Sequence, residues 1–543
     1  MLVVVSSAST SATAHAHKND SSAAAGRQLI QQPVQCRPAR AVLAFFRAVD
    51  LTGTSGLHQT AVERLQFGWA ADDALREHFG SDMAVQADIE HLLRRTEFVA
   101  RPARVNALKD GTISAAIDDI LAAPANPGSV TFTADSNWER GMELTYFWFD
   151  RMAFDSTRPL QEKMSFFWHG LLCSEFGKVG AATLMREQID TFRVDGLGNL
   201  RALVKKISTQ VAMLRYLDNN QNRSSSPNQN FGRELMELFL LGVGNYTEAD
   251  VEASTAAWTG HTDDWETDAY VWNPGWHDAN PKTLLGQTIN NGGDPTQHGD
   301  ETIEVILGNG IVPAGATNVA NRGRQTRLVA AEFISRKLWT FFAGTSPPAT
   351  VISAMRDTAI ANDFSIKPWL KVMLSSTEFY QTDVKQGLVR SPVDMIVTML
   401  VATGLRATDN VPIWLMKGMG QQPLFPPNVS GWKHNGYFVN ASAMAQRASC
   451  AQSFGWRTMR GYWNGDGLIH LGGGTISKAE IEGTYAALPN GPVQLVDRIL
   501  SLMQVTLSPS SRQALLTFSQ NAQRWERNQL ILLTLLAPEF HVA

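Results

Sequence analysis

Residues 227–242 read PNQNFGRELMELFLLG, a stretch that sets three charged side chains in a segment apolar enough to be buried. At 100° per residue, Phe231, Leu235, Leu238 and Phe239 fall on one side of a helix and Arg233, Glu234 and Glu237 on the other. Leu240 and Leu241 flank the charged stripe and Met236 narrows it, so the spacing predicts a helix buried on most sides. A carboxylate in such a helix must be paired, hydrogen-bonded or protonated. Two readings follow. In one, Arg233 and Glu237 form an i,i+4 ion pair that fastens neighbouring helices, with Glu234 bonded to backbone. In the other, Glu234 and Glu237, one turn apart, work as acid and base or as metal ligands. Asn228 and Asn230 can cap the helix or offer amides to a polar ligand.

On both sides of this helix the apolar positions recur at three and four. Residues from about Asn137 to Asn219 form one helical block, and RLVAAEFISRKLWTFFAG, IKPWLKVMLSSTEFY and SPVDMIVTMLVATGL continue it. Thr247 and Asp250 spell a capping box ahead of VEASTAAWTGH, which makes Glu248 and Asp250 helix-start residues. DAYVWNPGWHDANPKTLLGQTI alternates and carries NPG and DANP turns, which predicts one β-hairpin. QQPLFPPNVSGWKHNGYFVNAS is a Pro/Gly/Asn loop of a length more often functional than idle. The expected fold is mainly α: a large multi-helix domain with one inserted β-hairpin and long Pro/Gly/Asn-rich loops. Residues 1–40 read as a mobile Ser/Ala-rich leader, 41–455 as the main helical domain and 456–543 as a C-terminal helical extension packed on it.

Composition narrows the function classes. With 47 basic and 51 acidic residues intermixed, a net charge of −4 leaves no electrostatic footprint for nucleic acid. Cys36, Cys173 and Cys450 are far apart and odd in number, so neither a disulfide framework nor a thiolate zinc site is indicated. No window approaches the roughly 18 apolar residues of a membrane span. The N-terminus lacks the basic region and longer apolar run of a secretory signal, so on its own it reads as cytoplasmic.

Other candidate residues lie in aromatic or loop settings. His169 sits in FFWHGLL, as a core histidine or a ligand contact. His277, Asp278 and Lys282 occupy the expected hairpin beside Trp272 and Trp276, with His261 just before it; their spacing matches no established metal motif. Trp276 and Trp432 are loop tryptophans that can stack on a sugar or lid a core.

The order of the motifs HLLRRTEF, KMSFFWHG, PNQNFGRELMELFLLGVGNYTEADV, KTLLGQ, FISRKLW, RSPVD and PPNVSGW resembles the bacterial family called domain of unknown function 1800, over roughly Ile89 to Cys450. The resemblance implies a mainly helical protein, often exported and often found beside a sulfatase-like partner, without an assigned activity. Gln229 stands where that family has a glutamate, and Leu171 and Leu172 where it commonly has a second histidine; RTEFV replaces its RAGFG. The leading expectation is an enzyme acting on a polar, carbohydrate-like substrate. Glu234, Glu237 and His277 would do the chemistry, and Asn228, Asn230, Arg233, His169, Asp278, Lys282, Trp276 and Trp432 would bind. A non-catalytic scaffold or secretion partner, and a carboxylate/histidine metal protein built on Glu234, Glu237, His261 and His277, stand beside it; cofactor and metal stay open.

Overall fold

A computed structural model describes residues 85–122, 127–289, 293–385, 387–408, 412–465, 467–483 and 491–543. The leader expected over 1–40, the start of the main domain and Cys36 lie outside the described residues. Helices dominate. Several are buried almost throughout because their residues are apolar on nearly every side: Pro159–Leu171 has only Gly170 outside its buried set after the first turn, and Pro392–Thr403 is buried at all but Asp394. Trp148, Trp168, Trp258, Trp339 and Trp369 lie in the core at below 2% exposure.

Sheet is confined, among the described residues, to three two-stranded antiparallel ladders, where a single hairpin was expected. His261–Asp264 pairs with Ala269–Trp272, Lys282–Leu284 with Gln287–Ile289, and Leu468–Leu471 with Gly474–Ser477. The stretch from Asp268 to Ile289 therefore belongs to two hairpins. Asn273, whose side chain accepts from the Gly275 amide, opens a short 3-10 turn over Pro274–Trp276 that separates them. The capping box at Thr247 and Asp250 is present, with the Asp250 carboxylate accepting from the Thr247 amide at 2.8 Å.

Among the described residues, buried or nearly buried ion pairs tie elements that are distant in the chain. Glu162 accepts from Arg193 Nε at 2.8 Å and Nη2 at 3.0 Å with both side chains fully sealed. Arg215 meets Asp263 at 2.6 Å, Lys385 meets Asp88 at 2.5 Å, and Lys163 is paired with Asp394.

Candidate acid pair and its surroundings

The helix of the opening stretch is α-helical only over Asn230–Glu234 and widens to a π-helix over Leu235–Leu240, closed by the Leu241 amide reaching the Met236 carbonyl at 2.9 Å. π-turns of this kind are rare and concentrate at functional sites. Gly232 allows the helix to press against the neighbouring Glu248–Ala257 helix: a Cβ there would stand 2.7 Å from Thr255 Oγ1 and 2.9 Å from its amide nitrogen. The apolar face, Phe231, Leu235, Met236, Phe239 and Leu240, is buried, whereas Arg233, Glu234, Glu237 and Leu238 stay half-exposed. The expectation of a helix buried on most sides is corrected to that extent.

The expected Arg233–Glu237 pair does not form. Arg233 instead donates to both oxygens of Glu248, at 2.9 and 2.7 Å, and weakly to Gln229 Oε1 at 3.4 Å. Glu237 accepts a hydrogen bond from the Tyr246 hydroxyl. The widened turn alters the rotation from Arg233 to Glu237, and the chain's return through Tyr246 and Glu248 supplies each with another partner. Glu234 keeps one oxygen unsatisfied: its Oε2 is buried and has no hydrogen-bond partner among the described residues. Burial, and then the neighbouring Glu237 carboxylate, raise its pKa above the ordinary value against the pull of Arg233.

Beside Glu234 stand Tyr216 and Cys173. Burial and the Cys173, Glu175 and Glu234 groups raise the Tyr216 pKa, and burial pushes the Cys173 thiol up to about 12, so it carries no nucleophilic thiolate at neutral pH. The thiol donates to the carbonyls of Val429 at 3.0 Å and Asn428 at 3.5 Å, which brings the PPNVSGW loop to the same place. That loop is tightly seated. Gly431 has φ +72° and a Cβ there would lie 2.0 Å from the Gly170 carbonyl, so only glycine permits the approach. Sequence reasoning singled out none of Tyr216, Cys173 and Tyr246; the Gly242 and Gly244 turn ahead of Tyr246, both at positive φ, is the signal that the chain doubles back there.

His169 and Trp432 are sealed. His169 is fully buried, its Nε2 accepts from the Leu424 amide at 3.1 Å, and its ring contacts Trp148 and Trp432. Burial lowers its pKa to about 3, so it is a neutral acceptor that buckles the loop to the core. Trp432, 5% exposed, stacks on Phe166 with ring centroids 5.4 Å apart. Asn228 Oδ1 accepts from the Asn230 amide at 3.0 Å, and Asn230 Nδ2 donates to the Leu217 carbonyl at 3.2 Å, so both brace the helix start. Trp276 packs on the segment that leads into this helix: its carbonyl accepts from the Ser224 amide at 2.8 Å and Arg223 lies 3.6 Å over its ring.

His277, Asp278 and Lys282 form a different knot. His277 Nδ1 lies 2.8 Å from the Thr259 carbonyl, so it is the protonated nitrogen, and His277 Nε2 accepts from His298 Nδ1 at 2.8 Å. His298 Nε2 is buried without a partner, and His261 Nδ1 meets the Tyr270 hydroxyl at 3.0 Å. Burial foremost lowers the pKa of all three histidines, His261 to about 3. Lys282 donates to the Asp278 and Asn280 carbonyls at 2.6 Å each, and Asp278 lies 3.5 Å from it. Among the described residues no group of three or more His, Cys, Asp or Glu side chains is placed to hold a metal ion, so Glu234, Glu237, His261 and His277 do not assemble as ligands.

A family model described as "Protein of unknown function (DUF1800)" matches residues 91–542. The chain belongs to this family. The match extends past Cys450, through the C-terminal helices. No curated protein and no solved structure matches the chain. Among the described residues no helix is long and apolar enough to cross a membrane.

Proposed function

We propose that this chain is an enzyme that moves a proton on a polar, carbohydrate-like substrate, with Glu234 as the proton carrier and Glu237 as its acidic partner. The single observation behind this reading is Glu234: half-buried, one oxygen unpartnered, its proton held more tightly than usual by burial and by Glu237. An upward shift is the direction that general acid–base catalysis by a carboxyl calls for. Tyr246 orients Glu237 through its hydroxyl, and Arg233, held by Glu248, keeps a half-exposed guanidinium beside the pair. His277 is left out of the chemistry because both its nitrogens are engaged. A hydrolase and a lyase both use such a pair.

The competing reading is a non-catalytic scaffold or secretion partner, favoured by the number of sealed fasteners around the pair, His169 and Trp432 among them. A sulfatase-like partner belongs to that reading through the family resemblance. The test is turnover of a panel of oligosaccharides by wild type, Glu234→Gln and Glu237→Gln. Glu234→Gln is expected to abolish product formation with folding retained. If wild type turns over no member of the panel and binds none, the enzyme reading fails and the scaffold reading stands.

A further inference from the structure

Helix Ala441–Thr458 runs into the short Arg460–Asn464 helix, and at their junction two indoles face solvent: Trp456 at 46% and Trp463 at 50% exposure. Their ring centroids are 6.2 Å apart with planes inclined at 32°, so they form one continuous aromatic floor. The floor is braced from below. Tyr462, 4% exposed, packs edge-on against Trp463 with centroids 5.0 Å apart and donates to Glu482 Oε1 at 2.7 Å. Gly465, at φ +96°, ends the helix directly after Asn464.

Arg457, Arg460 and Asn464 complete an open cleft of about 440 Å³ with the two tryptophans. Among the described residues, Arg457 bonds the Ser453 carbonyl and hydroxyl, and neither arginine has a carboxylate partner. Among the described residues, the two glutamates of the adjoining helix are engaged elsewhere: Glu482 with Tyr462 and Lys478, and Glu480 with Ser477 and Arg498. On a chain of net charge −4 this is a local cationic, aromatic hollow whose two guanidiniums meet no carboxylate among the described residues.

We propose that this cleft binds an anionic saccharide, the indoles stacking on the flat C–H face of a pyranose and the guanidiniums of Arg457 and Arg460 gripping its acidic group. Charge complementarity chooses an acidic sugar over a neutral one, because planar guanidinium forks match carboxylate or sulfate oxygens and a neutral glycan would leave them unused. Two cations on a short floor serve one or two acidic groups, far fewer than the run of phosphates a nucleic acid presents. The volume falls in the range of small-ligand sites. This binding site is separate from the Glu234–Glu237 pair and does not depend on that pair being catalytic.

The experiment is calorimetric titration of the full chain with three probes of equal length: an oligogalacturonate, a sulfated galacto-oligosaccharide and a neutral galacto-oligosaccharide. Binding of one acidic probe and weak binding of the neutral one is expected; which acidic probe binds distinguishes a carboxylate from a sulfate ester. Trp463→Ala and Arg460→Gln, both at exposed positions, should each weaken that binding roughly tenfold or more. Circular dichroism checks that each variant is folded, and Arg460→Gln alone suffices should removal of an indole disturb the helix end. Equal affinity for the neutral probe, affinity unchanged in Arg460→Gln, no binding of either acidic probe, or binding only to single-stranded RNA or to anionic vesicles would each overturn the proposal.

Discussion

Glu162 and Glu234 are glutamates on helices of the same protein, yet they have opposite surroundings. Glu162 is fully sealed and held by two nitrogens of Arg193, with Arg151 3.6 Å away. Glu234 is half open, its nearest cation is engaged elsewhere by Glu248, and a second carboxylate stands beside it. A fold that needs a charge inside supplies its counter-charge with good geometry, as at Glu162. One that leaves a carboxyl partly buried and unpaired lowers its own stability, and such strain is most often kept where chemistry uses it.

The largest effect expected from this contrast is at Glu162. Glu162→Gln takes away the bidentate partner of the sealed Arg193 guanidinium and leaves only the partly exposed Asp190, 2.9 Å away, as its counter-charge, which should lower stability by about 3 kcal/mol, read by urea or thermal unfolding. Changing Arg193 to Met together with Glu162 to Leu should recover much of the loss, whereas additive losses would show that the two do not interact.

A smaller effect is expected at the buckle beneath the PPNVSGW loop. His169→Leu leaves the Leu424 amide without its acceptor and should cost about 1–3 kcal/mol. The buried histidines also set a pH dependence. His169 and His261 have folded pKa values lowered to about 3, below the value of about 6.5 in the unfolded chain. Their contribution to stability is therefore fully present above pH 6.5 and is lost as pH falls from there towards 3, by up to about 1.4 kcal/mol per pH unit for each. Unfolding followed from pH 7.5 to 4.5 should show a steady loss, and the slope should be shallower in His169→Leu. A slope identical to wild type would remove His169 from this role.

The smallest effect belongs to Arg233. Its partner Glu248 is well exposed, so Arg233→Gln should leave the melt almost unmoved. If Arg233 positions substrate, the same variant should raise KM with little change in kcat. A clear fall in melting temperature would instead place Arg233 among the fasteners.

Much of this architecture is legible in the residues themselves. The 3.6-residue repeat marks the helices, Thr247 with Asp250 announces a helix start, and Phe231 with Leu235 and Phe239 marks the buried face of the opening stretch. The pairing of Arg233 is not legible. An i,i+4 rule assumes an α-helical register, which the ladder abandons at Leu235, and Glu248 arrives from 15 residues away. The extra hairpins escape for a related reason: strands of three or four residues, such as Lys282–Leu284 and Leu468–Leu471, are too short to establish an alternating pattern. His298 escaped notice because its importance comes from His277, 21 residues before it in the chain.

The contrast between the two glutamates is tested most directly by the melting temperature of Glu234→Gln against wild type as a function of pH. Because the folded state raises the Glu234 pKa, the ionised carboxylate weakens the fold above that pKa, and the penalty is relieved as pH falls through it towards the unfolded value of 4.5. Glu234→Gln should accordingly melt at or above the wild-type temperature at pH 7.5, and the difference should shrink to nothing below pH 4.5. A fall in melting temperature at pH 7.5 comparable to that of Glu162→Gln would contradict it, and would make Glu234 one more internal fastener.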